Sequence, residues 1–78
     1  TMSVGGLRVG IRKNGGATYV IAVNPTSKPL GKVTLPIAEA AGKKVRVFGE
    51  GREPSVVGNQ IQDDFGAYGT HIYVIPPA

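Results

Sequence analysis

This chain has 78 residues, which is enough for one small domain with a single core. It contains no cysteine, which excludes a disulfide framework and thiolate chemistry, and no apolar run approaches the ~20 residues of a membrane span. The net charge is +4, but the basic residues are scattered and no RNA-recognition motif accompanies them, which argues against nucleic acid as a partner.

The first part of the chain has the alternation of a β-strand followed by a hairpin signal. Leu7, Val9 and Ile11 fall on one face because successive strand side chains point to opposite sides. Asn-Gly-Gly at 14–16 predicts a tight turn, since Asn and Gly both tolerate positive φ. Residues 17–24 are rich in β-branched and aromatic residues and predict a second strand, which a proline-containing segment ends.

The rest of the chain repeats short alternating segments separated by turn signals. Strands are predicted over 31–37, 43–48, 55–58, 59–65 and 70–75, and the segment 37–44 is predicted to be a loop or a single turn. Six or seven short strands predict an all-β fold, a small antiparallel β-sandwich, with residues 1–78 forming a single domain. The predicted core is Leu7, Val9, Ile11, Tyr19, Ile21, Val23, Val33, Leu35, Val45, Val47, Ile61, Phe65, Ile72 and Val74.

No catalytic constellation is recognisable in the sequence. Asp63 and Asp64 are consecutive in a predicted strand, so they point to opposite faces and cannot act as the acid and nucleophile of a glycosidase. An Asp at a strand end that caps a turn is the favoured interpretation. His71 has no partner in a motif of fixed spacing, and no zinc or EF-hand spacing is present. We therefore predict no catalytic residue, no metal site and no cofactor.

The order of the residues resembles the small C-terminal β-sandwich domain of many glycoside hydrolases. Within about residues 7–75, the matching positions are Tyr19, Ala22, Asn24, Val45, Val47, Asp63, Phe65, Tyr68, His71 and Tyr73. Gly66, Ala67 and Gly69 depart from the family, which often has Pro and a larger polar residue in this bend. The resemblance implies a non-catalytic accessory domain excised from the C-terminal part of a larger protein, with a barrel-type catalytic domain upstream.

The sequence also predicts a structural corner formed by aromatic residues and a docking surface on the strand faces opposite the predicted core. Phe65 and Tyr68 are predicted to form a structural corner, in which the buried Tyr hydroxyl satisfies a backbone group. Apolar residues opposite the predicted core, namely Val20, Phe48, Tyr73 and Ile75, are predicted to form a surface that docks on the catalytic domain. The alternative is that these residues fill the ends of the sandwich core.

The sequence is also compatible with two other functions. One is a carbohydrate-binding module, although most of the few aromatic residues are assigned to the core or the corner. The other is a basic nucleic-acid-binding β-barrel, which lacks a base-stacking motif here. The expected partner is the catalytic domain of the same parent chain, with carbohydrate as a second candidate and no membrane. A secreted or cell-surface location is expected if the parent degrades polysaccharides.

Overall fold

The computed structural model describes residues 2–77, so residues 1 and 78 of the predicted domain lie outside the described residues. The described chain forms eight β-strands and one short 3-10 helix. The strands are β1 (Met2–Val4), β2 (Leu7–Asn14), β3 (Ala17–Val23), β4 (Gly31–Pro36), β5 (Arg46–Val47), β6 (Ser55–Val57), β7 (Gln60–Phe65) and β8 (Thr70–Ile75). The 3-10 helix covers Ala38–Ala40, within the segment predicted to be a loop or a single turn.

The strands form two antiparallel sheets. The five-stranded sheet has the order β1-β2-β3-β8-β5, and the three-stranded sheet has the order β4-β7-β6. The two sheets enclose one core, and the all-β antiparallel sandwich predicted from the sequence is confirmed. The strand that the sequence did not predict is β1, which pairs with the start of β2. In residues 2–77 no helix is both long enough and apolar enough to cross a bilayer.

The predicted hairpin joins β2 to β3. Asn14 pairs with Ala17, and the two residues between them, Gly15 and Gly16, have φ of 60° and 83°. Two consecutive positive φ angles are typical of the two-residue turn that matches the twist of the flanking strands. The turn aligns the whole of β3 along β2 and thereby fixes which β3 residues face the core.

The buried apolar side chains come from both sheets. They are Leu7, Val9, Val20, Ala22, Val33, Leu35, Ile37, Ala40, Val45, Val47, Ile61, Phe65, Tyr73 and Ile75. The predictions for β2, β4 and β7 are confirmed, with one exception. Ile11 is 39% exposed. It lies in the second half of β2, and the three-stranded sheet is too narrow to cover the whole of the five-stranded sheet.

The predicted faces of β3 and β8 were wrong. Val20 and Tyr73 are paired across the two strands and fully buried, whereas the paired residues Ile21 and Ile72 lie on the other side of the sheet. Both faces of these strands are apolar, so alternation identifies two faces without indicating which of them meets the second sheet.

Three more residues of β3 and β8 that were predicted in the core also lie on the outward side of the sheet. Tyr19 and Val23, also predicted in the core, share the outward side of β3 with Ile21 and are only partly buried. Val74 of β8 points outward as well, yet it is 8% exposed because it lies between Tyr19 and Arg46 on the neighbouring strands.

Candidate functional site

A cluster of charged and aromatic side chains joins the two sheets. Asp63 projects from the inner face of β7, between the buried residues Ile61 and Phe65. Tyr73 projects toward it from the inner face of β8. Glu50 and Arg52 come from the turn that follows β5 and complete the cluster with His71 of β8.

Arg52 and Asp63 form a two-pronged ion pair at the centre of this cluster. The Nη1 and Nη2 groups of Arg52 donate to Oδ1 and Oδ2 of Asp63 at 3.0 and 2.9 Å. The hydroxyl of Tyr73 donates to Oδ2 at 2.8 Å, and the backbone N–H of Asp64 donates to Oδ1 at 2.9 Å. Asp63 is buried, so these bonds replace the hydration that its carboxylate loses on folding.

His71 links the turn after β5 to the end of β7. Its Nδ1 lies 2.6 Å from a carboxylate oxygen of Glu50, and its Nε2 lies 2.9 Å from the carbonyl oxygen of Asp64. Both of these oxygens are acceptors, so each contact is a hydrogen bond when the ring nitrogen concerned carries a proton. Arg52 also comes within 3.4 Å of Nδ1, but two donors form no hydrogen bond with each other.

The cluster changes the acidity of its members. The hydrogen bond to His71 lowers the pKa of Glu50; burial opposes it and Arg52 reinforces it. Burial raises the pKa of Asp63, but hydrogen bonds from Arg52 and Tyr73 outweigh it, so the net shift is downward. Burial and the bond to Asp63 raise the pKa of Tyr73. These shifts keep both carboxylates ionised and the phenol protonated near neutral pH.

The geometry of the cluster suits a structural lock. Every oxygen of Asp63 is bound within the protein, and no buried side-chain nitrogen or oxygen in residues 2–77 lacks a partner. Asp63 points inward and Asp64 outward, so the two side chains lie on opposite faces, as predicted, and their carboxylates do not converge on one point. The described residues contain no group of three or more His, Asp or Glu side chains placed to hold a metal ion.

The corner before β8 is held by Asn24 rather than by Tyr68. The amide of Asn24 is fully buried, and its Nδ2 donates to the carbonyl oxygens of Lys28 and Gly66 at 2.8 and 2.9 Å. Its Oδ1 accepts from the backbone N–H and the hydroxyl of Thr26 at 3.1 and 2.9 Å. The polar groups of the corner are therefore satisfied without a phenol.

The prediction of a Phe65–Tyr68 corner is half right. Phe65 is 1% exposed and packs edge-to-face on His71, with ring centres 4.7 Å apart. Tyr68 is 66% exposed, and its φ of 53° lies in the left-handed region that non-glycine residues seldom adopt. Its backbone N–H is bound to the carbonyl of Thr26, while its ring points away from the core.

The four residues predicted to form a docking surface do not form one surface. Val20, Tyr73 and Ile75 are at most 1% exposed and belong to the core, whereas Phe48 is 65% exposed. The alternative, that such residues fill the core, is correct for three of the four. The error has the same cause as the reversed faces of β3 and β8: both faces of each strand are apolar.

The residues that do face outward form an apolar surface on the five-stranded sheet. We call this surface the outer face; its members are Arg8, Gly10, Arg12, Asn14, Tyr19, Ile21, Val23, Arg46, Phe48, Thr70, Ile72 and Val74, and its apolar residues come from β3, β8 and Phe48. At its centre lies a shallow depression of about 290 Å³, lined by Arg12, Asn14, Tyr19, Ile21, Phe48 and Ile72. Phe48 is held at the edge by a 2.7 Å bond from its N–H to the carbonyl oxygen of Ile72.

Arginines flank the apolar centre of the outer face. Arg12 is paired with Tyr19 on one side, and Arg46 is paired with Val74 on the other. Arg8 is paired with Val23 at the end of the same sheet. Within residues 2–77 none of these three arginines forms an ion pair, so their guanidinium donors face outward beside apolar side chains.

The opposite surface of the sandwich has the composition expected of a solvated sheet. On the three-stranded sheet Lys32 is paired with Asp64, and Thr34 with Gln62. Gln62 is paired in turn with Ser55. A sheet with one covered and one solvated face alternates apolar and polar residues. The three-stranded sheet follows this rule apart from Val57, which is 61% exposed, whereas β3 and β8 of the five-stranded sheet do not follow it.

Comparison with protein-family models, curated proteins and solved structures finds no match to this chain.

Sequence reasoning missed the ion-pair cluster although one signal for it was available. Asp63 alternates with Ile61 and Phe65, so a strand that buries those two residues also buries the carboxylate. A buried carboxylate requires a cationic or hydrogen-bonding partner. The sequence spacing does not identify this partner, because Arg52 is 11 residues from Asp63 and a turn brings the two together.

Proposed function

We propose that this chain is a non-catalytic β-sandwich accessory domain of a carbohydrate-active enzyme, a glycoside hydrolase, and that it packs on and supports the catalytic domain of the same parent chain. The observation that carries the proposal is the apolar outer face of the five-stranded sheet. Tyr19, Ile21 and Ile72 lie side by side there with Phe48, which is 65% exposed. A surface of this kind on a small domain marks an interaction site.

The residues behind the resemblance support the same proposal. In the cluster between the sheets, the hydroxyl of Tyr73 donates to Asp63, and His71 contacts the backbone carbonyl of Asp64. Phe65 packs on the ring of His71. In this chain the shared motif therefore has a structural use, as expected of a module whose catalytic groups belong to another domain. The docking surface differs from the sequence-based one and retains only Phe48.

Oxidative footprinting tests this proposal with an internal control. Hydroxyl radicals modify exposed aromatic rings, so the rates at Tyr19 and Phe48 would be compared between the isolated chain and the longer parent protein. We expect both rates to fall in the parent, while Tyr68, which is 66% exposed in the bend before β8 and does not belong to the outer face, keeps its rate. Equal rates at Tyr19 and Phe48 in the two proteins would overturn the proposal.

Carbohydrate binding is a second candidate function. The sequence assigned most aromatic residues to the core or the corner, but Phe48 and Tyr68 are exposed, which favours this candidate. Sugar rings stack on exposed aromatic side chains, and the depression beside Phe48 also contains the polar groups of Arg12 and Asn14. A glycan array with the isolated chain separates the candidates. Saturable binding that Phe48→Ala abolishes would favour the binding module over the docking domain.

A further inference from the structure

The charges of the outer face specify the chemistry of the surface that covers it. The described outward positions of β2, β3, β5 and β8 carry Arg8, Arg12 and Arg46 and no carboxylate. Glu39 and Glu50 pair with Lys13 and with Arg52. Glu53 lines a depression with Arg46, Phe48 and Val74 at the β5 edge, where Lys44 pairs with it at 3.6 Å. The outer face is thus apolar at its centre and positive at two sides.

A second copy of this chain is a poor occupant for that surface. In a two-fold dimer the same patch meets itself, so the arginine rim would lie against another arginine rim. Like charges that face one another across an interface cost free energy and slow association. The net charge of +4 adds repulsion between copies at longer range.

A neutral apolar partner is also a poor match. It would cover the guanidinium groups of Arg12 and Arg46 without giving acceptors to their donors, and uncompensated donors are costly to desolvate. Carboxylates are the partners that the planar guanidinium binds best, often through two hydrogen bonds at once. Arginine at the rim of an apolar patch is therefore suited to a rim of Asp or Glu side chains.

We infer that the outer face docks on a protein surface with an apolar centre and a rim of carboxylates, located on the catalytic domain of the parent chain. This inference rests on the proposed function and adds the chemistry of the partner surface. The apolar centre, with Tyr19, Ile21 and Phe48, supplies most of the contact area. The arginines orient the two domains and exclude surfaces that lack acidic groups.

Charge reversal in the parent protein tests the inference, read out by the footprint of Tyr19 and Phe48. The test variant is R12E/R46E, and the control is K28E/K32E, in which the lysines belong to the loop before β4 and to the outward side of β4. Both variants take the net charge of this domain from +4 to 0, since each substitution changes it by two. Melting of the isolated variants verifies that both are folded.

We expect R12E/R46E to lose the protection of Tyr19 and Phe48, with their oxidation rates rising to those of the isolated chain, and K28E/K32E to keep it. In the wild-type parent, the protection of Tyr19 and Phe48 should also weaken when the salt concentration rises from 50 to 500 mM, because the Debye length falls from about 14 to about 4 Å. This measurement needs no substitution. Full protection in R12E/R46E at both salt concentrations would contradict the acidic rim while leaving the docking itself intact.

The remaining outcomes are also decisive. If the wild-type rings are unprotected in the parent, the proposed function fails, and the inference fails with it. If the isolated chain binds single-stranded DNA at physiological salt and R12E/R46E abolishes this binding, the arginines recognise phosphates, and the acidic protein surface is the wrong partner.

Discussion

The two phenylalanines of this chain separate a core role from a surface role. Phe65 is 1% exposed and Phe48 is 65% exposed, although both follow alternating apolar segments. We expect Phe65→Ala to lower the free energy of unfolding by about 3 kcal/mol or more, because a buried ring is lost and a cavity remains. Urea denaturation measures this loss against a total stability of about 5 kcal/mol.

The matched control for Phe65 is Phe48→Ala in the isolated chain. Its ring is mostly in solvent, so the change in unfolding free energy should stay within about 0.5 kcal/mol. Equal losses in the two variants would show that the two rings do not differ in burial.

Arg52 is predicted to stabilise the fold through the carboxylate that it pairs with. Arg52→Met leaves the buried Asp63 with only the Tyr73 hydroxyl and a backbone N–H. We expect a loss of about 2 kcal/mol, below the range for fully buried pairs, because the Arg52 side chain is 38% exposed. Thermal melting should show no comparable loss in Arg46→Met, which removes an arginine without an ion pair.

Tyr68 is predicted to contribute nothing to the lock of the corner. Its φ of 53° is unfavourable for a side chain with a Cβ and is easily adopted by glycine. Tyr68→Gly should therefore leave the unfolding free energy unchanged or raise it by up to about 1 kcal/mol, as relief of strain offsets the greater freedom of the unfolded chain. A lowered melting temperature would restore the buried-corner interpretation.

At the scale of the elements, the turn after β5 is fastened to the sandwich by groups that titrate. Glu50 and Asp63 both have a pKa lowered from their ordinary values of 4.5 and 3.8. A carboxylate with a lowered pKa in the folded state stabilises the fold fully above its unfolded pKa, and this contribution is lost as the pH falls through the folded pKa. The cluster therefore predicts acid sensitivity.

The pH prediction is a fall of the urea midpoint below about pH 4.5, with little change between about pH 5 and 7 from these two groups. Glu50→Gln should show a shallower fall in the same range, since one of the shifted carboxylates is gone. Asp64→Asn serves as the control, because the Asp64 side chain is exposed and outside the cluster. An Asp64→Asn profile as shallow as that of Glu50→Gln would contradict the assignment.

The elements themselves could be predicted from the sequence because their signals are local. Alternation in β2, β4 and β7 and the glycines of the hairpin depend on neighbouring residues only. The facing of β3 and β8 depends on which side the three-stranded sheet covers, and both sides of these strands are apolar. Short β1 was missed since three residues carry too little periodicity.

The site was less predictable than the fold for the same physical reason. The bond between His71 and Glu50 spans 21 residues, and the Asn24 amide reaches Gly66 across 42. Such contacts follow from the packing of the sheets and leave no fixed spacing in the sequence. The inward position of Asp63 was the one part that alternation could have indicated.

At the scale of the whole molecule, the two surfaces of the sandwich differ in kind. The outward positions of the three-stranded sheet carry Lys32, Thr34 and Gln62, as expected for a solvated surface, with Val57 as an exposed apolar residue among them. The outer face of the five-stranded sheet has an apolar centre that is flanked by arginines. The asymmetry is the basis of the proposed role as a docking domain. The proposal assigns a neighbouring domain to one side of the molecule and water to the other.

The central claim is tested most directly by the melting temperature of Phe48→Ser in two contexts, the isolated chain and the parent protein. Val57→Ser is the matched control, because Val57 is similarly exposed, at 61%, but belongs to the three-stranded sheet. We expect Phe48→Ser to leave the isolated chain unchanged and to destabilise the parent by about 1–2 kcal/mol, the contribution of a newly covered aromatic side chain. Val57→Ser should change neither. A parent protein that melts at the same temperature with and without Phe48 would contradict the account.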